Sequence, residues 1–135
     1  MPPAQFRHPI RVRYNECDPQ GHVFNANYLA YFDIAMTELW RELGCYSAMI
    51  DGGIDIVVAE ARIRYMAGLE FDDEAVLVVR SVSLGNTSMS TELAIERAVE
   101  TVAEGELRHV FVDTEAGGAV SIPETVRAGL TRYAR

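Results

Sequence analysis

The sequence predicts an α+β domain, an antiparallel sheet of about five strands curled around one long helix. Two observations carry this. Residues 25–44, NANYLAYFDIAMTELWRELG, are the strongest helical segment of the chain and are apolar around most of their circumference. One alternating run precedes this helix and four follow it, each with the period of two that a strand half-buried in a sheet requires.

The elements follow in order. His8–Tyr14 alternates, with Ile10, Val12 and Tyr14 on one face and Arg11 and Arg13 on the other. Residues 15–26 read as a loop because Asn15, Asp18, Pro19 and Gly21 punctuate them. Asn25 is the candidate N-cap of the long helix, and Gly44 stands where a left-handed residue closes one. Arg41 lies near its carboxyl end, where the helix dipole favours a cation. Tyr28, Leu29, Tyr31, Phe32, Ile34, Met36, Leu39 and Trp40 leave little polar face, so burial on all sides is expected. Strands are expected over 54–66, 74–84, 88–99 and 101–113, with a hairpin turn at Gly85–Asn86–Thr87. Pro123 opens a last short helix, proline being favoured in a first turn.

The whole chain, residues 1–135, reads as one domain without repeat, linker or low-complexity segment. A chain of this length buries roughly two-thirds of its unfolded surface. No apolar run approaches the roughly 18 residues that span a bilayer, and the first residues lack the apolar core of a secretory signal. A cytoplasmic protein with no membrane partner is therefore expected. Cys17 and Cys45 are too few for a disulfide framework and have no metal-ligand spacing. A net charge of −8 argues against nucleic acid as a partner, since phosphate binding needs a basic surface.

Chemistry concentrates in residues 13–28, RYNECDPQGHVFNANY. Asp18, His22, Asn25 and Asn27 crowd the entry to an apolar helix, where polar groups are costly unless paired or employed. The first helical N–H groups are unsatisfied donors at the positive end of the dipole. Such donors stabilise the oxyanion that develops when an acyl group is attacked. A carboxylate just upstream then serves as nucleophile or as general base for water.

The run YNECDPQGHVFNANYLAYFDIAMTELWRELG resembles the signature of the 4-hydroxybenzoyl-CoA thioesterase family of hotdog-fold acyl-CoA thioesterases. The likeness is specific over residues 12–44. Beyond them it rests on element order, Tyr65, the acidic FDDE stretch and the LGNTSMS turn. It implies that Asp18 is the catalytic carboxylate and that the backbone N–H of Asn25 polarises the thioester carbonyl. It places Tyr14 near the acyl group, with His22, Asn27 and Tyr28 as further substrate-side candidates. Asn27 and Tyr28 also read as ties between loop and helix.

The resemblance further implies hotdog pairs assembled as dimers or tetramers, a homotetramer being expected, with sites at the pair interface. CoA enters as part of the substrate, and no separate cofactor or metal is expected. Two positions depart from the family pattern. Asn25 stands where many members carry His, and the turn over Leu84–Ser88 is neutral where aromatic-CoA enzymes are basic. Phosphate contacts are then expected from residues such as Arg62, Arg64 or Arg80, or from a neighbouring subunit. A non-catalytic acyl-binding hotdog domain and a hotdog hydratase using Asp18 with His22 are the alternative readings.

Overall fold

The computed structural model describes residues 2–135. Its sheet has five antiparallel strands, β1 (Phe6–Arg11), β2 (Ile54–Tyr65), β3 (Glu74–Leu84), β4 (Ser88–Arg97) and β5 (Glu100–Asp113). Their spatial order is β1-β3-β4-β5-β2, which leaves β1 and β2 as edges. Helix α1 (Ala26–Leu43) lies across the sheet, α2 (Tyr46–Asp51) follows it, and α3 (Glu124–Leu130) closes the chain. This is the expected α+β architecture, with α2 as an element the sequence reading lacked.

The core forms where α1 meets the inner face of β3, β4 and β5. Phe32, Ala35 and Leu39 are fully buried against it, one helical turn apart, together with Leu77, Val79, Leu93, Ile95 and Phe111. Helix α1 presses Phe32 onto Gly105 of β5. A methyl at residue 105 would lie 2.9 Å from Phe32 Cε2 and would also collide with the carbonyl oxygen of Arg62. Glycine is therefore required by close approach rather than by backbone angle.

Three expectations change. Helix α1 is not buried on all sides, for Asn25, Ala26, Leu29, Ala30, Asp33, Ile34, Thr37 and Arg41 form an exposed stripe. The sheet is too narrow to wrap the helix completely, and β2 diverges from it. Strand β1 ends at Arg11, and Tyr14 begins a 3-10 turn over Tyr14–Glu16, so Tyr14 leaves the strand face and is 79% exposed. Asn25 occupies the N-cap position in a helical conformation, but its side chain makes no capping hydrogen bond. Gly44 closes α1 in the left-handed region at φ 72°, as expected.

The outer face of the sheet is a charged lattice. Arg62 pairs with Glu106 at 3.0 Å, and Glu104 takes Arg80 at 3.0 Å and Arg64 at 3.8 Å. Among the described residues no helix is long and apolar enough to cross a membrane. Gly105→Ala should destabilise the fold by about 3 kcal/mol, the upper range for forcing atoms into a packed site. Urea unfolding of the two proteins measures this, and an unchanged midpoint would contradict the close approach.

Candidate functional site

The segment before α1 folds back on itself as a miniature hairpin. Cys17 pairs with Val23 in an antiparallel bridge. The Asp18 N–H donates to His22 O at 2.8 Å, and the Phe24 N–H donates to Glu16 O at 2.9 Å. Pro19 and Gln20 form the tip, closed by the Gly21 N–H on Asp18 O at 2.9 Å. Asp18 Oδ1 accepts the Gln20 N–H at 2.9 Å, the turn chemistry expected of Asp before Pro. The turn engages one carboxylate oxygen and leaves the other unpartnered among the described residues.

The hairpin delivers the chain into α1. The first helical bonds run from the Asn27 N–H to Phe24 O at 2.8 Å and from the Tyr28 N–H to Asn25 O at 3.2 Å. Among the described residues nothing accepts the N–H of Asn25 or of Ala26, and both residues are exposed. These are the orphan donors of a helix start, carrying the positive end of its dipole. From β2, the Tyr65 OH donates to Asn25 O at 3.0 Å and fixes that peptide against the sheet edge. Tyr65 also meets the ring of Tyr28 edge-on at 5.2 Å.

The other expected substrate contacts are placed differently. The Asn27 side-chain amide donates to Glu16 O at 2.8 Å, and the Tyr28 OH accepts the Leu69 N–H at 3.0 Å. Tyr28 is buried, and burial pushes its phenol pKa up. Both side chains are engaged within the chain, Asn27 tying the turn over Tyr14–Glu16 to α1 and Tyr28 tying α1 to the segment before β3. His22 lies over Gly68 with Nε2 4.0 Å from Glu70 Oε1. Tyr14 stands outside, edge-on to Phe71 at 5.7 Å.

A cavity of 640 Å³ opens between α1, α2 and the β2–β5 pair. Its walls include Met36 and Trp40 of α1, Tyr46 of α2, Ile56 and Val58 of β2, and His109 of β5. Ile56 and Val58 of β2 face this cavity, whereas Tyr31 and Phe32 of α1 are enclosed in the core. The cavity runs along the exposed stripe of α1. At 1.5 Å per residue, Asp33 lies about 10 Å and Trp40 about 21 Å from the helix start.

Two polar groups at this cavity escaped the sequence reading. His109 is 4% exposed and its Nδ1 has no partner, and Trp40 Nε1 is likewise buried and unpaired. Burial lowers the His109 pKa, opposed by the negative charge of Asp33. His109 lies on the alternating strand β5, and only the fold shows which face of that strand borders a cavity.

Glu16 is the other residue missed. It lies three residues after Arg13, a spacing at which an acidic side chain turns back onto the preceding backbone. The Arg13 N–H donates to Glu16 Oε1 at 2.8 Å, and the Tyr31 OH donates to the same oxygen at 2.8 Å.

The cations expected for phosphate lie in surface ion pairs. Arg62, Arg64 and Arg80 each lie within ion-pair distance of Glu104 or Glu106. Among the described residues Arg13, Arg108, Arg127 and Arg132 have no carboxylate within 4.0 Å. Arg127 of α3 donates to Gly85 O at 2.7 Å, bringing a cation to the turn that is neutral in sequence. Both thiols are free, and burial together with the Glu16 and Asp18 charges raises the Cys17 pKa, against a thiolate nucleophile.

A five-stranded antiparallel sheet laid around one long helix is the hotdog architecture, and this protein is a thioester hydrolase of that class. The chain belongs to the thioesterase-like superfamily, whose family model matches residues 12–130. It is 32% identical over 117 residues to a putative esterase of Aquifex aeolicus, covering 86% of this chain and 90% of that protein. It is 29% identical over 125 residues to the acyl-CoA thioester hydrolase YbgC of Escherichia coli, covering 91% and 93%. The structure of a gentisyl-coenzyme A thioesterase superposes with a TM-score of 0.81 at 27% identity, covering 93% of this chain and 98% of the other.

His109 yields a pH prediction. Its folded pKa lies below the ordinary value near 6.5, so below that pH the unfolded chain binds a proton that the folded chain resists. Stability should fall as pH drops from about 7 toward the folded pKa, and the contribution vanishes above about 7. His109→Leu should flatten this part of the profile. Thermal unfolding at pH 7 and pH 5 tests it, equal losses in both proteins being the contrary result.

Proposed function

We propose that this protein hydrolyses acyl-CoA thioesters, with Asp18 as the catalytic carboxylate and the Asn25 N–H as the carbonyl-polarising donor. One observation carries the reading. A carboxylate with an unengaged oxygen sits on a hairpin whose base is hydrogen-bonded into a helix start with unpaired N–H groups. Acyl-CoA as substrate is supported by the name of the Escherichia coli relative and by the coenzyme A thioester of the structural neighbour.

The chemistry follows from charge. The thioester oxygen accepts the Asn25 N–H, and negative charge develops there as the carbonyl carbon is attacked. Asp18 either removes a proton from the attacking water or attacks directly to give a mixed anhydride that water then opens. In both routes the C–S bond breaks and CoA leaves as the thiolate. Water supplies the new acid oxygen directly in the general-base route. In the anhydride route Asp18 supplies it, and water, opening the anhydride at the Asp18 carbon, replaces the oxygen Asp18 gave up. The protein needs no dissociable cofactor for these steps, and the helix start takes no part in proton transfer. Asn25 in place of His costs nothing here, since the donor belongs to the backbone.

The acyl group fits the cavity beside α1, whose 640 Å³ lies in the usual range of roughly 300–1,000 Å³ for small-molecule sites. Strand β2 borders that cavity and keeps its outer edge unpaired over twelve residues, with Val57 and Val58 about half exposed. An uncovered edge of this length is a template for pairing. A second copy joined there completes the wall, and two such pairs make the homotetramer. A cytoplasmic setting suits both free thiols.

Asp18→Ala should lower kcat about 10²–10⁴-fold, the usual contribution of a positioned acid or base, with KM little changed. Free-thiol release from short, long, branched and aromatic acyl-CoAs measures this, and wild-type turnover by the variant would exclude Asp18. Single-turnover hydrolysis in oxygen-18 water separates the routes, because only the anhydride route labels the Asp18 carboxylate. Gel filtration should give four times the chain mass of 15.0 kDa. A monomeric, fully active enzyme would remove the shared wall.

A further inference from the structure

We propose that Glu16 is a positioning residue of this site, whose carbonyl and carboxylate together fix the Asp18 hairpin and the start of α1 relative to each other. The inference rests on the reading of Asp18 and the Asn25 N–H as the reacting pair. Glu16 lies two residues before Asp18, and its partners flank Asn25. Its carbonyl accepts the Phe24 N–H at 2.9 Å and the Asn27 side-chain amide at 2.8 Å. Its carboxylate Oε1 accepts the Arg13 N–H and the Tyr31 OH, each at 2.8 Å. One residue thus binds the strand-side turn, the last residue before Asn25, and two side chains of α1.

The anchor is stiff at its far end. Tyr31 is 2% exposed on the inner face of α1, so the helix core holds its hydroxyl in place. Burial and the Glu16 carboxylate both push the Tyr31 pKa up, which keeps the hydroxyl a donor at every physiological pH. No Arg or His lies within ion-pair distance of Glu16 among the described residues. Its hydrogen-bonding partners are neutral donors, so it acts through acceptor geometry and not through a salt bridge. Misplacement by about 1 Å can cost a reaction about 100-fold, and a two-part site on a hairpin and a helix end is exposed to that loss.

Glutamine at this position keeps an oxygen acceptor for both donors, whereas alanine keeps none. Glu16→Ala should lower kcat about 10–100-fold with KM within about threefold, and Glu16→Gln should recover most of the rate. Tyr31→Phe should lower kcat by less, and its effect should shrink in the Glu16→Ala background, as expected for partners in one contact. Amide hydrogen exchange supplies a readout independent of turnover. In Glu16→Ala the amides of 17–28 should exchange faster while those of β3 and β4 do not, and Glu16→Gln should restore protection. The proposal is overturned if Glu16→Ala keeps wild-type kcat, if the glutamine variant is as impaired as alanine, or if exchange in 17–28 is unchanged. Running Asp18→Ala in the same assay separates the two readings. Loss in Asp18→Ala alone removes the role of Glu16, and loss in neither variant removes the reading of the site itself.

Discussion

A helix that enters an apolar interior brings a first turn of N–H groups that its own carbonyls cannot reach. Most of what surrounds α1 in this protein answers that constraint. The hairpin over 17–23 turns the chain so that the helix starts at the rim of the core and not inside it. Glu16, Asn27 and Tyr31 then join hairpin to helix, while the Tyr28 hydroxyl and the Val23 N–H hold Leu69 from either side. Tyr65 fixes the Asn25 carbonyl from the sheet edge. What is left over is a pair of unaccepted N–H groups at the helix start and an unpartnered Asp18 oxygen on the hairpin, among the described residues. The site is the remainder of the solution to helix entry.

The same economy shapes the rest of the surface. A sheet of five strands covers the inner side of α1 but not the stripe from Ala26 to Arg41. Strand β2 departs from the helix, and the gap becomes a cavity floored by Val58 and His109. The residues that make this gap apolar would be liabilities in a monomer. Most of the exposed large apolar side chains belong to the hairpin region, α1, β2 or the adjoining loop, Tyr14, Leu29, Val57, Tyr65 and Phe71 among them. Cleft and uncovered surface are one feature, which ties catalysis to assembly in the proposed mechanism.

Charge is distributed on a different principle. The chain is acidic overall, at −8, yet eight of its twelve arginines lie within ion-pair distance of a carboxylate. Exposed pairs of this kind contribute little stability each. Their larger effect is to remove cations from the field that an anionic ligand meets. Arg62 and Arg64 of β2 and Arg80 of β3 look available on alternating strands and are matched by Glu104 and Glu106 of β5. A cation reaches the neutral turn only because α3 packs beside it and offers Arg127.

The sequence by itself determined the class of fold, the limits of α1 to within a residue, four of the five strands nearly to their ends, and the loop in which the carboxylate lies. These are local properties, since periodicity, turn residues and a helix-closing glycine act over a few neighbours. Tertiary structure decided the rest. Which face of α1 stays uncovered depends on the width of the sheet. Asn25 caps by position and not by side chain because the hairpin sets its backbone in a helical conformation. Tyr14 leaves the strand because the chain enters a 3-10 turn there, and Glu16 bonds Tyr31 because residues 15 positions apart meet. Such contacts are set by how elements pack, and no window along the chain contains both partners.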